Sequence, residues 1–238
     1  MSDRLMGMRI KSRFIIEIRC NPLLSFLDRR GDLINKIHSK IINEYPHWGV
    51  DNSGTSVLFF DNLEYPKDDA VINFKKFAYA FEDAEGIFAL RNYFEKFIFP
   101  VYGYFREEFN IARRIGVRII SLLNKNNESF EQITDNVMKF FSDKIPKLGA
   151  KDCKFHVIFE NGHYLVGPVK EGEMWFKENF KRGIGGDIKV GYGIDVDSYV
   201  KDVEIKYEKE LEEAIRSVFD LSRGIEEQLA TSLGLIDG

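Results

Sequence analysis

From Lys154 to Gly167 the chain runs Lys-Phe-His-Val-Ile-Phe-Glu, then Asn161-Gly162, then His-Tyr-Leu-Val-Gly. Two short runs of β-branched and aromatic residues joined by Asn-Gly predict a two-residue hairpin, because that dipeptide tolerates the positive φ angles of a type I′ turn. Such a hairpin commits its part of the chain to antiparallel pairing. It sets Glu160 opposite His163 near the tip. His156 then falls on the same face but four pairs away, roughly 13 Å at strand rise, too far to share a metal.

The other segments are consistent with that commitment. Between Arg13 and Cys20, the residues Phe14, Ile16, Ile18 and Cys20 share one face, and Arg13, Glu17 and Arg19 the other. That is the period of a half-buried strand. Asn21-Pro22 reads as the N-cap and first residue of a helix running to Tyr45, with Gly31 interrupting it and Pro46 ending it. Strands are expected at Thr55 to Phe60 and, as one long element, at Val71 to Phe81. Ile87 to Phe109 is a hydrophobic helix that Pro100 must kink or divide, since proline removes a backbone bond and clashes with the preceding turn. Ile111 to Leu123 reads as a strand, Phe130 to Phe141 as a helix and Ile188 to Val196 as a strand. A helix from Val203 to Leu233 closes the chain.

Strands and hairpins mixed with helices in this order predict an α+β fold, an antiparallel sheet with helices on one face, and exclude a doubly wound one. The polar break Asn124-Lys-Asn-Asn127 suggests two intimately packed lobes. Residues 1–125 would carry a β-α-β-meander-α-β lobe. Residues 126–238 would carry a helix, the hairpin, a strand and the long helix, unless both make one continuous domain.

Thirteen of the thirty-three aromatic residues fall between Phe74 and Phe109. A run of that density builds core, with room for an apolar cavity or a docking groove. A net charge of −4 rules out a whole-molecule attraction to nucleic acid or anionic lipid, though not a local basic patch. Cys20 and Cys153 lie far apart without CxxC spacing, which points to a reducing compartment. Met1 to Lys11 has no signal-peptide core, and no apolar run approaches the ~18 residues of a membrane span. The expected location is the cytoplasm.

The aromatic strand-helix unit from Ala70 to Phe109, the strand Arg114-Ile-Gly-Val-Arg118, and Asp195-Val-Asp197 followed by the helix containing Phe219 together carry a family likeness. They resemble a sporadically distributed prokaryotic family of uncharacterised proteins with an R-x-G-[LV]-R strand. Where that family's strand continues with Tyr and Asn, this chain has Ile119 and Ser121. The resemblance supports the fold outline and brings no activity with it.

Arg114, Gly116 and Arg118 alternate onto one strand face, where two guanidiniums flanking a glycine suit a phosphate, a carboxylate or a partner's acidic group. The alternative is that both arginines pair with carboxylates of the chain itself. Lys181, Arg182 and Lys189 around Gly183-Ile-Gly-Gly186 form a second candidate basic patch, without the ending of a P-loop. In the terminal helix, Leu211, Ile215, Val218, Ile225 and Leu229 repeat in steps of four and three. That stripe serves either the chain's own core or a dimer seam. Asp195 and Asp197, with Glu204, hold the residue types of a magnesium site at spacings that chance also supplies. No histidine spacing, nucleophile elbow or Cys-His pair suggests catalysis, so no cofactor and no metal are expected. The leading expectation is a non-enzymatic interaction subunit, working as a homo- or hetero-oligomer. The alternative is an accessory subunit of a prokaryotic defence or guide-dependent complex that contacts nucleic acid.

Overall fold

The computed structural model describes residues 5, 7–43, 45–63, 69–82, 94–125, 127–141, 153–180, 183–184 and 187–236. The elements in chain order are β1 (Arg9–Cys20), α1 (Leu24–Ile41), β2 (His47–Val50), β3 (Ser56–Phe60), β4 (Asp69–Asn73) and β5 (Lys76–Glu82). A single π-helical turn (Phe94–Ile98) runs into α2 (Phe99–Phe105). There follow β6 (Ile111–Leu123), α3 (Phe130–Phe141), β7 (Phe155–Phe159), β8 (Gly162–Lys170), α4 (Met174–Asn179), β9 (Val190–Glu204) and α5 (Glu208–Ser232). The strands make an antiparallel sheet in the order β2-β3-β4-β5-β1-β6-β9-β8-β7. The fold is therefore α+β, with a long C-terminal helix.

The chain divides into two compact units interleaved in sequence. One comprises residues 1–13, 118–198 and 220–238; the other comprises 14–117 and 199–219. A cut near residue 125 is not the division found. The divisions fall within β1, β6, β9 and α5.

The 14–117 unit contains the meander β2-β3-β4-β5, each strand antiparallel to the next. What the alternation presents as one strand from Val71 to Phe81 is a hairpin, with Asn73 paired to Lys76. The Asn73 Oδ1 accepts the amides of both Lys75 and Lys76, and this side-chain bond turns the backbone. Asp51 does the same before β3, accepting the amides of Thr55 and Ser56 while Gly54 takes a φ of 70°. Helix α1 starts without the expected Asn21 cap; its Ser25 amide donates to Glu108 Oε2 at 3.3 Å. It kinks at Arg29, two residues ahead of Gly31. Pro100 sits in the first turn of α2, where a missing amide is tolerated, and the π-helical turn precedes it. Most described aromatics of the Phe74–Phe109 run supply core as expected: Phe77, Tyr79, Phe81, Phe94, Phe97, Tyr102, Phe105 and Phe109 are buried, while Phe74, Phe99 and Tyr104 are partly exposed.

In the other unit one sheet face carries Val166, Tyr192, Ile194 and Val196, packed with Ile133 and Val137 of α3 and Leu229 and Ala230 of α5. The same unit holds a network in which Ser121 and Glu226 are buried and Arg9 nearly so: Arg9 Nη1 donates to Ser121 Oγ at 2.7 Å, and Ser121 Oγ donates to Glu226. Arg9 also pairs with Glu226 at 3.1 Å. Among the described residues no helix is long and apolar enough to cross a membrane.

Candidate functional site

The hairpin of β7 and β8 forms, in a register different from the expected one. Phe159 pairs with Gly162, Ile158 with His163, and His156 with Leu165, so the two loop residues are Glu160 and Asn161. Neither loop residue nor Gly162 has a positive φ, so this is not a type I′ turn. Gly162 is needed for a different reason. A Cβ there would fall far inside the 3.0 Å limit from the backbone oxygen of Asp197 and within 2.7–2.9 Å of the Phe159 ring. The close approach of β9 selects glycine and thereby sets the pairing.

That shift brings the two histidines together. With His156 opposite Leu165, His163 becomes its diagonal neighbour, within reach for an aromatic side chain. The ring centroids lie 5.1 Å apart in an edge-on arrangement, correcting the expected 13 Å separation. On the neighbouring strand Leu165 pairs with Asp195 and His163 with Asp197, so these groups share the sheet face opposite the apolar one. Helix α4 lies on this face. Gly193 leaves the space that the Trp175 ring uses, its missing Cβ falling 3.2 Å from the indole.

Arg118 projects into the same region. Its Nε and Nη2 bind the two oxygens of Asp195 at 2.8 and 2.7 Å, and Nη2 also donates to Asn179 Oδ1 at 3.2 Å. Asn179 is itself held, since its Nδ2 donates to Trp175 O at 2.7 Å and its carbonyl accepts from Arg13 at 3.2 Å. The hydrogen bonds to Asp195 raise the Arg118 pKa above its usual value despite burial, with the charges of Asp195, Asp197 and Glu178 adding to the effect. Asp195 is 6% exposed and Arg118 37%, so this is a half-buried, fork-geometry ion pair.

Arg118, His156, His163, Leu165, Trp175, Glu178, Asn179 and Asp195 line a cleft of about 300 Å³. The carboxylates of Glu178 and Asp195 line it together with the Arg118 guanidinium, and the charge of Asp197 also acts on Arg118. Among the described residues no group of three histidine, cysteine or acidic side chains is placed to hold a metal ion.

The cleft opens beside β7, which lies at the edge of the sheet among the described residues. β7 is the last strand in the sheet order. In a two-residue hairpin the closing pair is hydrogen-bonded, so Phe155, Val157 and Phe159 bond to β8. The peptide groups of His156 and Ile158 point away from the sheet. Ile158 is 78% and Val157 36% exposed.

The remaining sequence candidates lie elsewhere. Arg114 binds Glu17 at 3.1 Å and lies 4.9 Å from the Tyr199 ring centre. Gly116 makes room for that same guanidinium, whose Nη1 is 2.5 Å from where a Cβ would be. The expected cradle is thus filled by its own arginine, while Arg118 serves the cleft. Lys189 pairs with Glu171 at 2.9 Å and donates to Ile184 O at 2.6 Å. Lys181 and Arg182 lie outside the described residues. In α5, Leu211, Ile215, Val218 and Leu229 are buried and Ile225 packs on the apolar core, so the stripe serves the chain's own interior and offers no seam. Asp195 and Asp197 stand in the middle of β9, not at a strand end, and Glu204 pairs with Lys206 at 3.8 Å. Trp175, Glu178 and Asn179 were not singled out by their spacing. Their signal was the short aromatic segment following the hairpin.

No family model, no curated protein and no solved structure matches this chain.

Proposed function

We propose that the protein is a non-enzymatic interaction subunit whose docking site is the β7 edge with its adjoining cleft. An extended segment of a partner protein adds to β7 as a further strand and sets one side chain in the cleft. The observation that carries this reading is the edge position of β7, whose described residues carry none of the usual guards. Natural sheets protect edge strands with charges, proline or bulges. Here β7 itself carries no lysine, carboxylate or proline, and Val157 and Ile158 are exposed hydrophobics, with Lys154 and Glu160 the flanking charged residues. Strand addition draws affinity from main-chain bonds and specificity from a flanking pocket, and both parts are present side by side.

Contact with nucleic acid is the weaker reading. Arg19, Arg113, Arg114, Arg118 and Lys189 are already paired with Glu17, Asp202, Glu17, Asp195 and Glu171. Each such pairing removes charge that a phosphate contact needs. The Glu178 and Asp195 carboxylates in the cleft, with Asp197 acting on Arg118, disfavour an anionic ligand as well. Two free cysteines support a reducing, cytoplasmic setting.

Amide hydrogen exchange tests the reading, with a capped Val-Thr repeat hexapeptide as probe and an N-methylated version as control. Millimolar probe should slow exchange at His156 and Ile158, and the control should not. Fast exchange at His156 and Ile158 that the probe leaves unchanged would overturn it.

A further inference from the structure

We infer that the strand added to β7 is β7 of a second copy of this chain, paired antiparallel about a two-fold axis at Val157. The inference rests on the reading that β7 is a docking edge, and adds the partner and the register.

Within β7, His156 and Ile158 turn their peptide groups outward, so an approaching copy bonds through even-numbered residues. Among symmetric registers, an axis at His156 sets Lys154 opposite Ile158, and an axis at Ile158 sets His156 opposite Glu160. The axis at Val157 alone sets Lys154 opposite Glu160 and, by symmetry, Glu160 opposite Lys154. It also sets Phe155 opposite Phe159, and His156 opposite Ile158 as the hydrogen-bonded pairs. Opposite charges and aromatic pairs directly across a seam each favour pairing. Since the axis runs perpendicular to the sheet, each face continues across the junction. Ile158 of one copy comes to rest beside His156 of the other, at the mouth of the cleft. The segment 154–160 is thus complementary to itself in charge and shape, as an isologous interface requires.

The axis places the two Val157 residues as a non-hydrogen-bonded pair, with Cα atoms ~4.5 Å apart. That lies within the disulfide range, whereas positions offset by two residues exceed its limit of about 7 Å. In a Cys153→Ser background, Val157→Cys should cross-link into a covalent dimer under mild oxidation, and His156→Cys and Ile158→Cys tested singly should not. In sedimentation equilibrium, Lys154→Glu should weaken the dimer by roughly ten-fold, and adding Glu160→Lys should restore it to within about three-fold. A chain that stays monomeric at high micromolar concentration with no Val157→Cys cross-link overturns the inference. So does preferential cross-linking of Ile158→Cys or His156→Cys, which indicates another register. Slowed exchange with the Val-Thr probe in a monomeric chain would reject the second copy while leaving the docking edge intact. Absence of both probe protection and cross-linking rejects both.

Discussion

Replacing Gly162 with alanine places a Cβ atom against the backbone oxygen of Asp197, well inside the 3.0 Å that real Cβ atoms essentially never breach, and 2.7 Å from the Phe159 ring. A ring can rotate away, but a strand backbone cannot do so cheaply. β8 must therefore withdraw from β9 where Gly162 pairs with Ser198 and His163 with Asp197. Withdrawal leaves one or two buried ladder groups without partners, at about 1–3 kcal/mol each. The expected loss is about 2–4 kcal/mol, or a fall of roughly 1 M or more in the urea midpoint at an m-value of a few kcal/mol/M. Trp175 reports on this unit, so fluorescence melts in a Trp48→Phe background are the assay. Gly162→Asn separates two explanations for the glycine. If a positive φ were the reason, asparagine would be tolerated at a turn. With close approach as the reason, asparagine is at least as damaging as alanine. A Gly162→Asn variant that melts with the parent would refute the reasoning, and with it the basis for the register that joins His156 to His163.

Three further outcomes follow from other parts of the structure. Glu226→Ala removes the 1% exposed carboxylate beside Arg9 and should destabilise its unit by roughly 3–5 kcal/mol, whereas Arg9→Met with Glu226→Leu should melt near the parent. Denaturant titration of both variants checks it, and equal losses would count against a buried charge pair. Hydrogen bonds from Ser53 and from the Ser56 and Thr55 amides lower the Asp51 pKa to about 2. A depressed carboxylate stabilises the fold above its unfolded value of about 3.9, and that contribution fades as pH falls through about 2. Asp51→Asn should therefore flatten the acid limb of the stability profile below about pH 4; an unchanged limb contradicts the turn assignment. Burial, with the Glu108 charge, raises the Cys20 thiol to about 12, and Cys153 is only half-buried. Ellman titration of the native protein at pH 8 should count one fast thiol per chain, the second appearing on unfolding; two fast thiols would contradict the burial of Cys20.

Periodicity by itself determined the type of most elements, because a residue's side of its own element follows from local geometry alone, while β2, α4 and the turn between β4 and β5 carry too short a pattern to read. Ile111–Leu123 and Phe130–Phe141 end where the pattern ends. The α5 stripe was legible as a helical face, but the choice between core and seam needed to know what covers it, and the chain's own interior does. The same limit applied to the hairpin. Asn161-Gly162 announced a turn, yet its register was settled by β9, a strand nearly thirty residues on, whose Asp197 carbonyl has room only for glycine. One residue's displacement of the loop turned two isolated histidines into a pair beside Arg118 and Asp195. Local patterns record φ, ψ and amphipathicity. The distance of closest approach between strands is a property of the assembled sheet, and only the tertiary structure decided it.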